Sequence, residues 1–178
     1  MKYCSECAAP VTTRIPAGDH RPRYVCPACG TIHYQNPKVV AGCIPEWGDE
    51  ILLCKRAIEP RIGFWTLPAG FMENEETADE AASRETLEET GAQTADLELF
   101  SLYSIPHISQ VYLIYRARLV ERNFGPTPES EQVRLFAQQD IPWDRIAFPV
   151  VRLTLEKYFE HRAAGRFQLT VGTIDRRS

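Results

Sequence analysis

Hydrophobic and polar positions along the 178-residue chain fall into short blocks of changing period. Residues 1–33 are rich in Pro and Gly and hold no sustained helical period, so they predict turns and short extended pieces. Tyr34-Gln35-Asn36-Pro37 predicts a linker, because Pro37 disfavours helix at Asn36. Residues 39–47 and 51–56 are β-rich apolar runs, and Gly48-Asp49 between them predicts a hairpin. Residues 60–63 predict a loop. Residues 77–90 contain strong helix formers and neither Gly nor Pro, and Gly91 follows where a helix C-cap sits. Ala78, Ala81, Ala82 and Leu87 are expected on the buried side of that helix.

Further along, residues 97–103 and 110–120 predict strands, broken by Ile105-Pro106-His107. A loop at 121–131 and a short strand at 133–136 follow. Residues 149–164 predict a second helix, with Val151, Leu155, Tyr158 and Phe159 on one face and Gly165 ending it. A short strand is expected at 167–171. The order strands, helix, strands, helix predicts a mixed α/β layered domain.

Composition changes this picture little: 44% hydrophobic and 25% charged residues describe an ordinary globular chain. No run approaches the ~18 apolar residues of a membrane span. The N-terminus lacks the apolar core of a signal peptide, so the cytoplasm is the expected location. Charge is more informative. The net charge is −4, yet residues 73–91 alone carry eight acidic and one basic side chain, a balance of −7. The segments on either side are slightly basic, +2 and +1. Such a block is either a solvated face or a cation site. No part of the chain is basic enough to point to nucleic acid, even residues 1–40 at +3.

The six cysteines form two sets. Cys4 with Cys7 and Cys26 with Cys29 are C-x2-C pairs separated by 18 residues, the spacing of a four-thiolate zinc site. Two intervening residues let a tight turn aim both sulfurs at one ion, and zinc then replaces the core that so short a segment lacks. Two disulfides are the alternative. His20 and His33, in the same segment, read as surface side chains. Cys43 and Cys54 lie in apolar runs and read as buried strand residues.

Within the acidic block, Glu85, Glu88 and Glu89 stand at i, i+3 and i+4 on one helix face. Like charges at that spacing destabilise a helix unless a cation offsets them, and carboxylate oxygens suit a hard divalent ion. Gly70, Glu76, Arg84, Glu85, Glu88, Glu89 and Gly91 complete the pattern G-x5-E-x7-R-E-U-x-E-E-x-G-U, with Thr86 and Ala92 at its apolar U positions. This pattern resembles the signature of the Nudix hydrolases. The resemblance implies a Nudix α/β/α sandwich with a mixed sheet over residues 37–178, preceded by a zinc ribbon over residues 1–36. It implies that Glu85, Glu88 and Glu89, with the backbone carbonyl near Gly70, bind Mg²⁺ or Mn²⁺. Arg84 would orient a glutamate, and Glu76 would be a supporting carboxylate. The implied reaction is attack of water on a nucleoside diphosphate linked to another group. Some relatives take the base from a loop outside the box. Glu129 and Glu131 are the candidates for it, with solvated loop charge as the alternative.

A zinc ribbon ahead of a Nudix domain is similar to NADH pyrophosphatases and to plant FAD pyrophosphatases. The run Ser-Gln-Pro-Trp-Pro-Phe-Pro of the first group is missing, whereas residues 34–38, 63–70, 105–110 and 128–136 look like the second. The resemblance implies FAD or ADP-ribose cleaved to AMP and the other half. NADH/NAD pyrophosphatase and RNA-cap hydrolysis are alternatives, as is a nucleotide-sensing module whose ribbon contacts RNA or protein. A homodimer is expected by analogy. Trp65, Phe71, Tyr103 and Tyr112 are able to stack a base, with core burial as the alternative, least so for Tyr103, and Arg56 and Arg61 are able to meet phosphate or to be solvated; Arg56, Trp65 and Tyr103 are the substrate-binding candidates.

Overall fold

The computed structural model describes residues 1–175. Residues 176–178, the end of the expected second domain, lie outside the described residues. The chain divides into two compact units, Met1–Pro37 and Lys38–Ser178.

The first unit holds a three-stranded antiparallel sheet of β1 (Thr12–Arg14), β2 (Arg23–Val25) and β3 (Ile32–His33). Apart from Cys4, Val25 and Cys26 it buries almost nothing, so an apolar core does not hold it together.

In the second unit, β4 (Lys38–Trp47) and β5 (Glu50–Arg56) form the expected hairpin but pair only at their turn ends. Beyond Glu46 they diverge. The short strands β6 (Trp65–Thr66) and β7 (Ala69–Phe71) fill the opening, β6 against β5 and β7 against β4. The long strands β8 (Thr94–Ile105) and β9 (Gln110–Leu119) follow, then β10 (Ser130–Phe136) and β11 (Thr170–Thr173). The sheet order is β10-β5-β4-β9-β8-β11, with β4–β9 and β8–β11 parallel, so the sheet is mixed.

Helix α1 (Ala78–Thr90) covers one face and α2 (Pro149–Ala163) the other. The two faces are packed differently. Under α2 lie large side chains, among them Phe100, Ile114, Leu155, Tyr158 and Phe159. Directly under α1 the fully buried residues are small, Ala81 and Ala82 against Ala41, Cys43 and Ala117, with Met72, Leu97 and Tyr115 partly buried around them. Small residues let the helix ride close to the sheet, which holds its polar side chains at a set height above β4 and β7.

Three expectations are corrected. Leu87 is 47% exposed. The buried stripe of α1 runs through Ala82, Thr86 and Glu89, and at 100° per residue Leu87 points away from it. β10 begins at Ser130 rather than 133, because Ser130 pairs with Arg56. β11 lies at Thr170–Thr173 rather than 167–171, since Phe167 packs against Tyr158 with ring centroids 5.5 Å apart instead of extending. Among the described residues, no helix is long and apolar enough to cross a membrane.

Gly42 on β4 has no room for a Cβ, which would overlap Ala69 and the Pro68 carbonyl. Gly42→Ala is expected to push β7 off β4 and lower stability by about 1–3 kcal/mol in a urea titration, the usual cost of overpacking. A midpoint equal to wild type would show that β7 yields freely.

Candidate metal centres

In the first unit, two tight turns bring Cys4, Cys7, Cys26 and Cys29 together. Backbone bonds such as Ala8 N–H to Cys4 O at 3.0 Å and Gly30 N–H to Cys26 O at 2.9 Å close them, and Gly30 takes the left-handed φ of +78° that the second turn requires. The four Sγ atoms lie within 4.8 Å of one another. Cys4–Cys29 are 3.7 Å apart and Cys7–Cys26 3.4 Å, close to the ~3.8 Å edge of a tetrahedron with 2.3 Å zinc–sulfur bonds. The donor set therefore fits zinc, and all four cysteines are free thiols. His33 departs from its expected surface position. It is half-buried, with Nε2 3.3 Å from Cys4 Sγ, a placement that helps fix that sulfur.

The second centre is built on α1. A capping box starts the helix: the Glu80 N–H donates to Thr77 Oγ1 at 3.4 Å and the Thr77 N–H to Glu80 Oε2 at 2.7 Å. Gly91, at φ +72°, ends it. The last turn holds Glu88 and Glu89 and no basic residue, so negative charge sits at the negative end of the helix dipole. That arrangement costs stability unless positive charge is near.

Arg84 supplies part of it. Its Nε and Nη2 donate to the two Glu76 oxygens at 2.9 and 2.8 Å, Nη1 to Glu85 Oε1 at 2.8 Å and Glu88 Oε2 at 3.2 Å, and Nη2 to the Phe71 carbonyl at 3.2 Å. The guanidinium holds the Glu76 carboxyl down to about 2. Glu85 sits against Gly70, where any Cβ would overlap its carboxylate, so glycine is required for close approach rather than for turning. Burial raises the Glu85 carboxyl, Arg84 opposes the rise, and the charges of Glu88 and Glu129 add to it. Glu129 is exposed, its loop pinned by Ala57 N–H to Glu129 O at 2.8 Å and Thr127 Oγ1 to Glu89 O at 3.1 Å. Glu131 is paired with Lys55 at 2.6 Å.

Glu89 lies deepest, 6% exposed. Burial pushes its carboxyl up to about 7; the Ala69 N–H, donating to Oε2 at 3.1 Å, works against this, and Glu85 adds to it. Cys54 Sγ lies 3.6 Å from the same oxygen. Its part in the site was missed because an apolar run disguises a thiol facing a carboxylate across the sheet. The cluster is a set of hard oxygen donors with more negative charge than Arg84 offsets, and it fits a divalent cation.

The substrate candidates separate. Arg56 is half-buried, donates to the carbonyls of Pro60 and Glu59 at 2.6 and 3.3 Å, and stands 5.3 Å over the Phe148 ring. It lines a cavity of about 30 Å³ with Thr66, Ala69 and Tyr112, room for a water but not a base. Trp65 and Tyr103 leave the substrate candidates, Trp65 taking its core alternative and Tyr103 as a correction: both are core residues. Trp65 is 7% exposed and meets Phe136 edge-on at 4.8 Å, while Tyr103 is 5% exposed and closed over by Gly172 of β11. Phe71 is the opposite case, 47% exposed with the Lys38 ammonium 4.6 Å over its ring.

A model described as the NUDIX domain matches residues 36–154, and a zinc-ribbon model described as Nudix N-terminal matches residues 2–35. The chain belongs to the Nudix hydrolase family. The crystal structure of a NUDIX hydrolase from Nitrosomonas europaea is 55% identical, with 99% of this chain and 100% of that one covered at a TM-score of 0.96. The NAD-capped RNA hydrolase NudC of Pseudomonas aeruginosa is 27% identical over 91% of this chain and 57% of its own length. The ADP-ribose pyrophosphatase of Methanocaldococcus jannaschii is 42% identical over 41% of this chain and 43% of its own. The chain spans about half the length of the curated relatives it matches. The Nudix α/β fold with a mixed sheet is thus established, together with a cysteine cluster matching the family's ribbon.

Two outcomes are expected. Metal analysis of gel-filtered protein should find about one zinc per chain, and Cys26→Ser should lose it and unfold the ribbon; zinc-free wild type would remove the site. For Glu89, the folded carboxyl titrates above its ordinary 4.5, so the folded state holds the extra proton between about 4.5 and 7. In Mg²⁺-free buffer the Tm should therefore fall as pH rises through that window. Glu89→Gln should flatten the slope, and an unchanged slope would show that Glu89 is not the group responsible.

Proposed function

We propose that the protein hydrolyses the diphosphate of an ADP-containing dinucleotide, ADP-ribose or FAD, to AMP and the other half. The carrying observation is the carboxylate cluster on α1, with Glu85 and Glu88 held by Arg84, Glu85 seated against Gly70 and Glu89 bonded to the Ala69 N–H. A relative named ADP-ribose pyrophosphatase supports the substrate class.

In this reading Glu85, Glu88, Glu89 and the Gly70 carbonyl hold Mg²⁺ or Mn²⁺, and Cys4, Cys7, Cys26 and Cys29 hold structural zinc. A divalent ion held there would supply charge neutralisation to a diphosphate and make a nearby water more acidic. Arg84 holds Glu85 and Glu88, and the Ala69 N–H holds Glu89. Glu129, held near Glu85 by its pinned loop, takes the proton from that water as general base. Arg56 offers its guanidinium to a phosphate oxygen. The likeness to NAD-capped RNA hydrolases favours a second reading, in which the ADP half belongs to NAD or to an NAD cap. The soluble nucleotide then gives way to an RNA end, and the chemistry at the diphosphate is the same. Homodimerisation and a cytoplasmic location complete the proposal.

Glu88, exposed at the mouth of the cluster, is the cleanest probe. Glu88→Gln is expected to lower AMP release from the best of FAD, ADP-ribose, NADH, CoA and NAD-capped RNA by about 100-fold or more, roughly 3 kcal/mol of transition-state stabilisation, with Tm unchanged. Wild-type rates in this variant, or tight binding by wild type without turnover on the whole panel, would replace the hydrolase with a sensor.

A further inference from the structure

The segment between β9 and β10 ties the helix that carries the carboxylates to the end of β5. Phe124 anchors its start against the cluster of Leu52, Cys54, Ala92, Leu119 and Val133. The last carbonyls of a helix have no helical partner, and two of those on α1 are capped from this segment. Gly125 N–H donates to Thr90 O at 2.9 Å and Thr127 Oγ1 to Glu89 O at 3.1 Å. Its other end is bonded to β5, with Ala57 N–H on Glu129 O at 2.8 Å and Ser130 opposite Arg56.

Thr127 is the joint between these two attachments. A hydroxyl offers one proton and accepts two, and all three places are taken. The proton goes to the Glu89 carbonyl, while the oxygen accepts the Glu129 N–H at 3.3 Å and the Ser130 N–H at 3.2 Å. Thr127 N–H to Ser130 O at 2.9 Å and Ser130 N–H to Thr127 O at 3.2 Å close the same turn. Pro126 and Pro128 on either side narrow the backbone further. A bulge then separates the two loop glutamates. Ser130 pairs with Arg56 and Gln132 with Lys55, so Glu131 is the extra residue. Glu131 is spent on Lys55 at 2.6 Å, and Ser130 turns inward to 1% exposure. Glu129 is left with an exposed carboxylate, near enough for Glu85 to feel its charge.

We propose that Thr127 is a positioning residue for the hydrolysis: its hydroxyl fixes the reach of Glu129 to the carboxylates of α1. The proposal rests on Glu129 being the general base. Thr127 meets only the main-chain carbonyl of Glu89, whereas the carboxylates are held by Arg84 and the Ala69 N–H. Loss of the hydroxyl therefore slows proton removal from water and leaves cation binding as it was.

The test is steady-state kinetics of the full zinc-loaded chain on whichever of FAD, ADP-ribose, NADH, CoA and NAD-capped RNA it cleaves fastest. Mn²⁺ binding is measured separately by calorimetry without nucleotide. Thr127→Val, Thr127→Ser, Glu129→Gln and the double variant of Thr127→Val with Glu129→Gln are compared, and Thr127→Ala stands in where Thr127→Val does not fold. Expected in Thr127→Val is a kcat lower by about tenfold or more, with KM and the Mn²⁺ Kd within about twofold of wild type. Thr127→Ser keeps the hydroxyl and should recover most of the loss. Glu129→Gln should cost about 100-fold in kcat. Adding Thr127→Val to it should cost nothing more, because both act through one carboxylate. The positioning role is overturned if the hydroxyl-free variants turn over like wild type, if Thr127→Ser is as slow as Thr127→Val, if the losses multiply in the double variant, or if the Mn²⁺ Kd rises as kcat falls. A wild-type rate in Glu129→Gln overturns the base and the positioning role together. A slow Glu129→Gln beside a normal Thr127→Val overturns only the positioning role, and absence of turnover on every compound removes the hydrolase and this role with it.

Discussion

A single guanidinium organises the carboxylate centre. Arg84 contacts the loop before α1 through Glu76, the helix through Glu85 and Glu88, and the end of β7 through the Phe71 carbonyl. Three segments with no mutual backbone bonds at that point are thereby tied together. A planar fork with five donors can reach all of these acceptors at once, which a lysine cannot. The acidic residues that burden the end of α1 depend on this one pairing. Because Arg84 engages only one oxygen each of Glu85 and Glu88, the pairing leaves donor capacity for a cation.

The geometry rests next on what is small. Alanines beneath α1, glycine at position 70 and the short pair β6 and β7 together bring a helix, a strand and a turn within contact of Glu85 and Glu89. Larger side chains on that face would lift the helix and pull the carboxylates away from the Ala69 N–H. The opposite face, packed with aromatics against α2, carries most of the aromatic burial. One sheet thus separates a face built for mass from a face built for approach.

The amino-terminal unit follows another rule. With few buried side chains, its shape depends on four sulfurs and the turns that present them, and His33 adds a contact to one sulfur. A metal ion held by those four sulfurs would couple its binding to folding.

Much of this was written in the chain. The C-x2-C pairs, the hairpin around Gly48, the span of α1 with its Gly91 cap, and the spacing of Glu85, Glu88 and Glu89 are local patterns, set by turn chemistry and by 3.6 residues per turn. Their partners could not be read that way. Burial of Tyr103, exposure of Leu87 and Phe71, and the approach of Cys54 to Glu89 depend on which strand lies beside which. The two strands that decide this, β7 inserted beside β4 and β11 laid parallel to β8, are short and joined to their neighbours through long-range pairing. Sequence determined which residues offer sulfur or carboxylate donors and on which element each stands. Only the tertiary structure decided which of them face one another, because burial and charge crowding are set by neighbours distant in the chain.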